Sequence, residues 1–197
     1  MAETIYTHAL TTVSRVKERL GIDSSGFDTV FLRLINAATD QIEQYCERRF
    51  KQTTYTNEVY GTSVSGGKYL FLRQPQVTAL SALEYRAGTP STPSWTAFLA
   101  DDYELIDGGR TGTVRIYGSV PQGENSVRTT YTAGYLIDWT NYGTTSHTLP
   151  ADVTEVCEKM VARAFKKREK EHMETESIGE SSTTYKVNFT AEDKETL

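Results

Sequence analysis

Cysteine is nearly absent from this chain of 197 residues, and the two that occur, Cys46 and Cys157, stand far apart. They form no CxxC pair, which argues against a zinc site of the usual spacing. Each falls on the apolar stripe of a predicted helix. We therefore expect two buried free thiols in a reducing compartment, with a disulfide between the two helices as the less favoured alternative.

Long apolar runs are also missing. No uninterrupted stretch approaches the roughly 20 residues that span a bilayer, and the mean hydropathy is −0.48. The first ten residues have neither a basic start nor an apolar run. The sequence therefore predicts no membrane partner and no secretory signal.

An excess of positive charge is lacking as well, since 21 basic residues face 26 acidic ones. Residues 171–197 hold seven acids and two bases, so the net charge of −5 belongs to this tail and the preceding residues balance. A protein that grips nucleic-acid phosphates normally carries a basic excess. We interpret the short basic run Lys166-Lys167-Arg168 as a solvated helix end.

Catalytic motifs are scarce. The three histidines (His8, His147 and His172) are isolated in the sequence, and there is no GxSxG elbow or dinucleotide fingerprint. Ser65-Gly66-Gly67-Lys68 precedes a predicted strand and fits a hairpin turn better than a phosphate loop. Asp101 and Asp102 are neighbours, which on a strand point to opposite faces, so a turn role is favoured over an acid/base pair. The sequence predicts no enzyme, metal or cofactor.

What is present begins with a helical block over residues 10–50. Thr11 or Thr12 is placed to cap a short helix that Gly21 ends. Asp28 is predicted to cap a long second helix. The apolar face of that helix recurs at steps of three and four, at Phe31, Leu34, Ile35, Ala38, Ile42, Tyr45, Cys46 and Phe50.

A third helix is predicted to start at Pro150, where the missing N–H costs nothing, and Asp152 suits its positive end. Its stripe comprises Val153, Val156, Cys157, Met160, Val161, Ala164 and Phe165. The stripe on the second helix is the expected packing partner.

Between these helices lies a block rich in glycine, proline and tyrosine, which indicates short strands in a small β-sandwich or barrel. A glycine-rich hairpin is predicted at 107–112. In the last strand Val127, Thr129 and Tyr131 alternate with polar neighbours and share a face. The predicted strands are 54–60, 68–72, 82–85, 103–106, 113–117 and 126–132.

The tail alternates again, with Tyr185, Val187 and Phe189 on one side. A lone strand cannot fold by itself, so this segment is a predicted docking strand for a sheet edge, with a frayed tail as the alternative. The predicted fold is α+β. A helical bundle (1–50 and 150–172) carries an inserted antiparallel β domain with its loop (51–149), followed by a flexible acidic tail (173–197).

The order of several short motifs resembles tailed-phage head–tail connector, or head completion, proteins over nearly the whole chain. The opening helices carry the first part of the resemblance. A strand, a glycine turn and a proline-started helix carry the second. The residues concerned are Leu10-Thr11-Thr12-Val13, Val16-Lys17, Leu20-Gly21-Ile22, Phe31-Leu32, Leu34-Ile35-Asn36-Ala37-Ala38, Ile42-Glu43, Tyr45-Cys46, Arg49-Phe50, Val127 to Tyr135 and Leu149 to Val153.

The resemblance implies a structural virion protein made in the bacterial host cytoplasm. Its copies would form a ring, usually dodecameric, at the head–tail interface. The ring would bind the portal protein and a stopper or tail-completion protein, and extend the DNA channel without sequence-specific binding.

Two alternatives stay open at this stage. One is a tail or baseplate binding module with a sugar-reading β domain, whose site exposed Trp95, Trp139 and tyrosines would line, although aromatic residues more often pack in a core. The other is a small hydrolase that uses Asp101 or Asp102.

Overall fold

The computed structural model describes residues 4–62, 69–89, 92–121 and 123–173. The chain divides into two compact units, one formed by residues up to Phe50 and from Leu136 onward, the other spanning Lys51–Tyr135. The first is helical and the second consists of antiparallel strands, which confirms the predicted α+β class. The predicted tail strand with Tyr185, Val187 and Phe189 lies outside the described residues.

Within the described part, the helical unit contains helices α1 (Val13–Leu20), α2 (Asp28–Tyr45) and α3 (Ala151–Met173). Thr12 caps α1 by accepting a hydrogen bond from the backbone N–H of Arg15, and Gly21 ends it in the left-handed conformation at φ 67°, as predicted. The prediction that Asp28 caps α2 is wrong. Asp28 is the first helical residue, and its carboxylate instead pairs with Lys17 at 3.0 Å.

The stripes of α2 and α3 pack together, as the sequence predicts. The ring of Phe165 lies 4.8 Å from that of Phe31 and 5.2 Å from that of Phe27. The predicted face extends too far along the chain, because Tyr45 ends the helix and is 44% exposed, and Cys46 and Phe50 follow the helix. The buried apolar residues of the two helices are Phe31, Ile35, Ala38, Ile42, Val153, Val156, Cys157, Met160, Val161, Ala162 and Phe165.

The loop that leads into α3 belongs to the helical unit, whereas the sequence predicted it as part of the β block. The indole N–H of Trp139 donates to the carbonyl of Ala9 at 3.0 Å. Leu136 and Thr148 exchange two hydrogen bonds at the base of the loop, and Leu149 is buried. These long-range contacts leave no periodic pattern in the sequence.

The β unit contains two antiparallel sheets in its described residues, ordered β1-β7-β3-β4 and β2-β6-β5. The strands are β1 (Thr53–Thr62), β2 (Tyr69–Phe71), β3 (Val77–Thr89), β4 (Thr92–Ala97), β5 (Tyr103–Leu105), β6 (Thr113–Ile116) and β7 (Gly123–Ala133). Strand β4 was not predicted, because its Pro93 and small polar residues are poor strand formers. Of the long β3, only residues 82–85 were predicted as a strand.

Both sheets contribute to one apolar cluster. Leu70, Val114 and Ile116 come from the smaller sheet, and Leu83 and Val127 from the larger. The predicted alternation of β7 is confirmed, since Val127, Thr129 and Tyr131 are all buried. The arrangement is therefore a small sandwich with its core between the sheets.

The glycine-rich connection between β5 and β6 depends on Gly109. This residue has φ 84°, and a Cβ atom there would lie 2.0 Å from the carbonyl oxygen of Val77. Only glycine fits, because no side chain tolerates that approach in this backbone conformation.

Candidate interaction surfaces

The predicted turn role of the two neighbouring aspartates is borne out by their geometry. They lie in a short 3-10 turn, Ala100–Asp102, where the side chain of Asp102 accepts from the backbone N–H of Leu99 at 3.2 Å. The carbonyl of Asp102 accepts from the N–H of Tyr117 at 2.7 Å. Asp102 is thus used to close the turn ahead of β5, which gives no support to the hydrolase alternative.

A buried carboxylate outside the predicted apolar face of the second helix lies near the end of α2. Glu43 is 6% exposed and accepts hydrogen bonds from the backbone N–H of Phe50 at 3.0 Å and from Arg49 at 2.5 Å. His8 Nε2 lies 3.7 Å from the Glu43 carboxylate. The local pattern did not reveal this burial, because the partners follow the helix or precede it by many residues.

His8, Asp40 and Glu43 place their ligand atoms within 4.8 Å of one another, as a cation site would require. Arg49 already directs a guanidinium nitrogen at this cluster, 2.5 Å from Glu43 and 3.4 Å from His8 Nε2. The Arg49 guanidinium therefore supplies the positive charge of this cluster. Its contacts hold the segment after α2 against the helix.

A second buried carboxylate joins α1 to α3. Glu158 is 6% exposed and accepts from Arg15 Nε at 2.7 Å, Thr11 at 3.1 Å and Arg19 at 3.5 Å. Burial lowers the pKa of Arg15, but the hydrogen bond and charge of Glu158, together with Tyr142, raise it by more, so that the net pKa is raised. The group is structural, since every oxygen has a protein donor.

The β unit has a comparable carboxylate at a bulge in β1. Glu58 accepts from the hydroxyls of Tyr60 at 2.5 Å and Tyr131 at 2.8 Å. Burial, followed by the hydrogen bonds of this group, raises the pKa of the Tyr131 phenol. Some of the tyrosines of the β block therefore form hydrogen bonds within the β unit.

The two tryptophans considered for ligand reading each pack internally. The Trp139 ring lies 4.5 Å from His147 and stacks with Tyr142 at 5.8 Å. In the β unit the guanidinium of Arg128 lies 4.6 Å from the ring centre of Trp95. Both tryptophans are half-buried, and each ring already has a side-chain contact within its own unit.

Both cysteines are free thiols, as predicted, but only Cys157 is buried, because Cys46 lies just past the end of α2 and is partly exposed. Burial raises the pKa of Cys157 to about 12, and burial likewise raises the pKa of Cys46. A raised pKa keeps the thiol protonated and unreactive.

The outward side of the smaller sheet is rich in aromatic side chains. Tyr69 and Phe71 of β2 are 52% and 70% exposed, and Tyr117, just after β6, is 47% exposed. Arg115 lies opposite both Tyr69 and Glu104 in the strand register, 3.8 Å from the Glu104 carboxylate. We call these five residues the aromatic face.

The polar members of the aromatic face, Glu104, Arg115 and Tyr117, contact one another. The Arg115 guanidinium lies 5.0 Å from the ring centre of Tyr117, and a hydrogen bond with Glu104 raises the pKa of Tyr117. Tyr69 and Phe71 flank this group on the edge strand. The sequence predicted a strand at 68–72 but not its exposure, because alternation alone does not say which face is covered.

The basic run at the end of α3 lies on a helix, as predicted, with Lys166 and Arg168 exposed. Within the described residues, no helix combines the length and apolar character needed to cross a bilayer.

Comparison with known protein families matches residues 9–191 to the family described as head completion protein. A comparison with curated proteins found no match.

Proposed function

This chain belongs to the head completion protein family of bacteriophages, and we propose that its copies form a ring between the portal and the tail. The family is a structural component of the virion. The match over residues 9–191 carries the proposal, because it takes in both units rather than one shared motif.

The ring extends the channel through which DNA leaves the head and offers its far side to a stopper or tail-completion protein. A channel that lets DNA pass must not hold its phosphates, and the balanced charge of residues 1–170 suits that task. A closed ring requires two different complementary surfaces on each subunit. The family favours a position at the head over the tail or baseplate alternative.

The second part of this proposal concerns the acidic tail of the chain. Tyr185, Val187 and Phe189 form a docking strand that is ordered when the subunit joins the vertex. Segments that order on binding make contacts only in the assembled state. The acidic residues around the strand keep free subunits apart in solution.

The test uses DNA-filled heads from phage that lack this protein. Adding the purified chain is expected to restore tail joining, counted as infectious particles. Truncation after Ser182 is expected to abolish the restoration while circular dichroism and the melting temperature of the protein stay unchanged.

Failure of the intact chain to restore joining would overturn the proposed function. Full restoration by the truncated chain would overturn only the role of the tail.

A further inference from the structure

We propose that residues 183–189 of one copy of this chain dock on strand β2 of a neighbouring copy, as a fourth strand of the smaller sheet. Tyr185, Val187 and Phe189 then lie beside Tyr69 and Phe71. This inference rests on the proposed function, because it names the surface that receives the tail.

The aromatic side chains of β2 are largely exposed to solvent. Phe71 and Tyr69 leave 70% and 52% of their surface in water, while Leu70 between them is buried. An aromatic side chain has about 150–250 Å² to bury, so these two rings expose on the order of 200 Å². That area is too small for a stable pair of subunits by itself, but it suits a contact that a ring repeats many times.

Although β2 is only three residues long, it carries no charged residue, proline or bulge that would protect its edge. Charged residues, proline and bulges usually prevent an edge strand from pairing with another chain. Among the described strands, the other three edges have one each: register shifts in β1, Pro93 in β4 and Glu104 in β5. The sequence of β2 is Tyr69-Leu70-Phe71, with none of them.

The residues around β2 are of the types that occur at protein interfaces. Tyrosine, phenylalanine and arginine are enriched in protein interfaces, and lysine is depleted. Arg115 is already paired with Glu104 at 3.8 Å and is covered on one side by Tyr117. The face therefore suits aromatic and backbone contacts from a polypeptide rather than a phosphate or another anion.

The sequence of residues 183–189 makes them the segment that we expect to dock on β2. Sheet edges accept extended segments with alternating side chains, and Thr183–Phe189 alternates aromatic or branched residues with polar ones. The described part of α3 ends at Met173, and residues 174–182 span about 30 Å when extended. Because ring closure needs a donor surface and a different acceptor surface, the tail and β2 form a matched pair between neighbours.

Disulfide trapping tests the pairing directly. Phe71→Cys is combined with Val187→Cys in a Cys46→Ser background, where the remaining Cys157 is fully buried. After restoration of the heads and mild oxidation, we expect disulfide-linked multimers on a non-reducing gel. Thr96→Cys on β4, combined with Val187→Cys, is the matched control and should give none.

A disulfide confined to single subunits, or no disulfide while tails join normally, would overturn docking on the neighbour. A second variant covers the case in which the cysteine pair fails to assemble. Phe71→Lys is expected to lower the yield of infectious particles at least tenfold with an unchanged melting temperature, and Phe71→Tyr is expected to retain that yield.

These outcomes also separate the two proposals. Normal restoration by Phe71→Lys overturns this docking site and leaves the ring proposal intact. Failure of the unaltered chain to restore tail joining removes the proposed function itself.

Discussion

Glu158 is the residue that ties α1 to α3. Its carboxylate is 6% exposed and accepts from Arg15, Thr11 and Arg19, two of which carry a positive charge. Removing one partner of a buried ionic group leaves the others without compensation, which costs more than the pair itself contributes.

We predict that Glu158→Ala lowers the free energy of unfolding of the helical unit by about 2–3 kcal/mol. Urea unfolding followed by Trp139 fluorescence measures it, in a Trp95→Phe background that silences the β unit. Glu155→Ala is the matched control one turn away, since Glu155 is 55% exposed in its pairs with Lys159 and Arg19, and it should cost below about 1 kcal/mol. Equal effects of the two substitutions would contradict the structural role of Glu158.

Single buried polar residues were the hardest to predict from the sequence. Glu43 and Glu158 occupy helix positions that match polar periodicity, so nothing in the local pattern separates them from solvent-facing acids. The donors to Glu158, Thr11 and Arg15, lie far away along the chain, and the donors to Glu43, Arg49 and the Phe50 N–H, follow the end of its helix. By contrast, Thr12 and Gly21 were predicted correctly, because capping depends on residues within one helical turn.

At the scale of elements, three neighbouring strands share one polar contact. Glu84 of β3 and Arg128 of β7 are register partners, joined by hydrogen bonds of 2.5 and 3.1 Å. The same guanidinium covers Trp95 of β4. The hydrogen bond from Arg128 lowers the pKa of Glu84 below the usual 4.5, against the opposing effect of burial.

A lowered pKa in the folded state means that this pair stabilises the sheet above pH 4.5 and loses that contribution as the pH falls through the folded value. We predict that the urea midpoint of the β unit falls more steeply between pH 6 and pH 3 than that of the Glu84→Gln variant. Trp95 fluorescence in a Trp139→Phe background measures both. Parallel pH profiles would show that the pair contributes nothing to the stability of the sheet.

The elements that the sequence predicted well are those with a clear burial period, namely α2, α3 and β7. The missed strand β4 pairs with β3 through its backbone, although its residues have little strand preference. The aromatic face falls between these cases. Its strand at 68–72 was predicted, but its exposure depends on where the second sheet lies.

At the scale of the whole molecule, a helical unit and a strand unit belong to one chain of the head completion family. The resemblance rested on the order of several weak motifs, and the family match over residues 9–191 confirms it. The groups that resemble catalytic or metal sites, Asp101 with Asp102 and His8 with Asp40 and Glu43, lie against partners that give them structural roles. The central claim is therefore assembly rather than catalysis.

A cryo-electron microscopy reconstruction of the portal vertex, made from heads restored with the purified chain, tests this claim most directly. We predict a closed ring of 22.1 kDa subunits below the portal, around an open channel, with the smaller sheet of each copy against its neighbour. A vertex without these subunits, or subunits bound singly elsewhere on the particle, would contradict it.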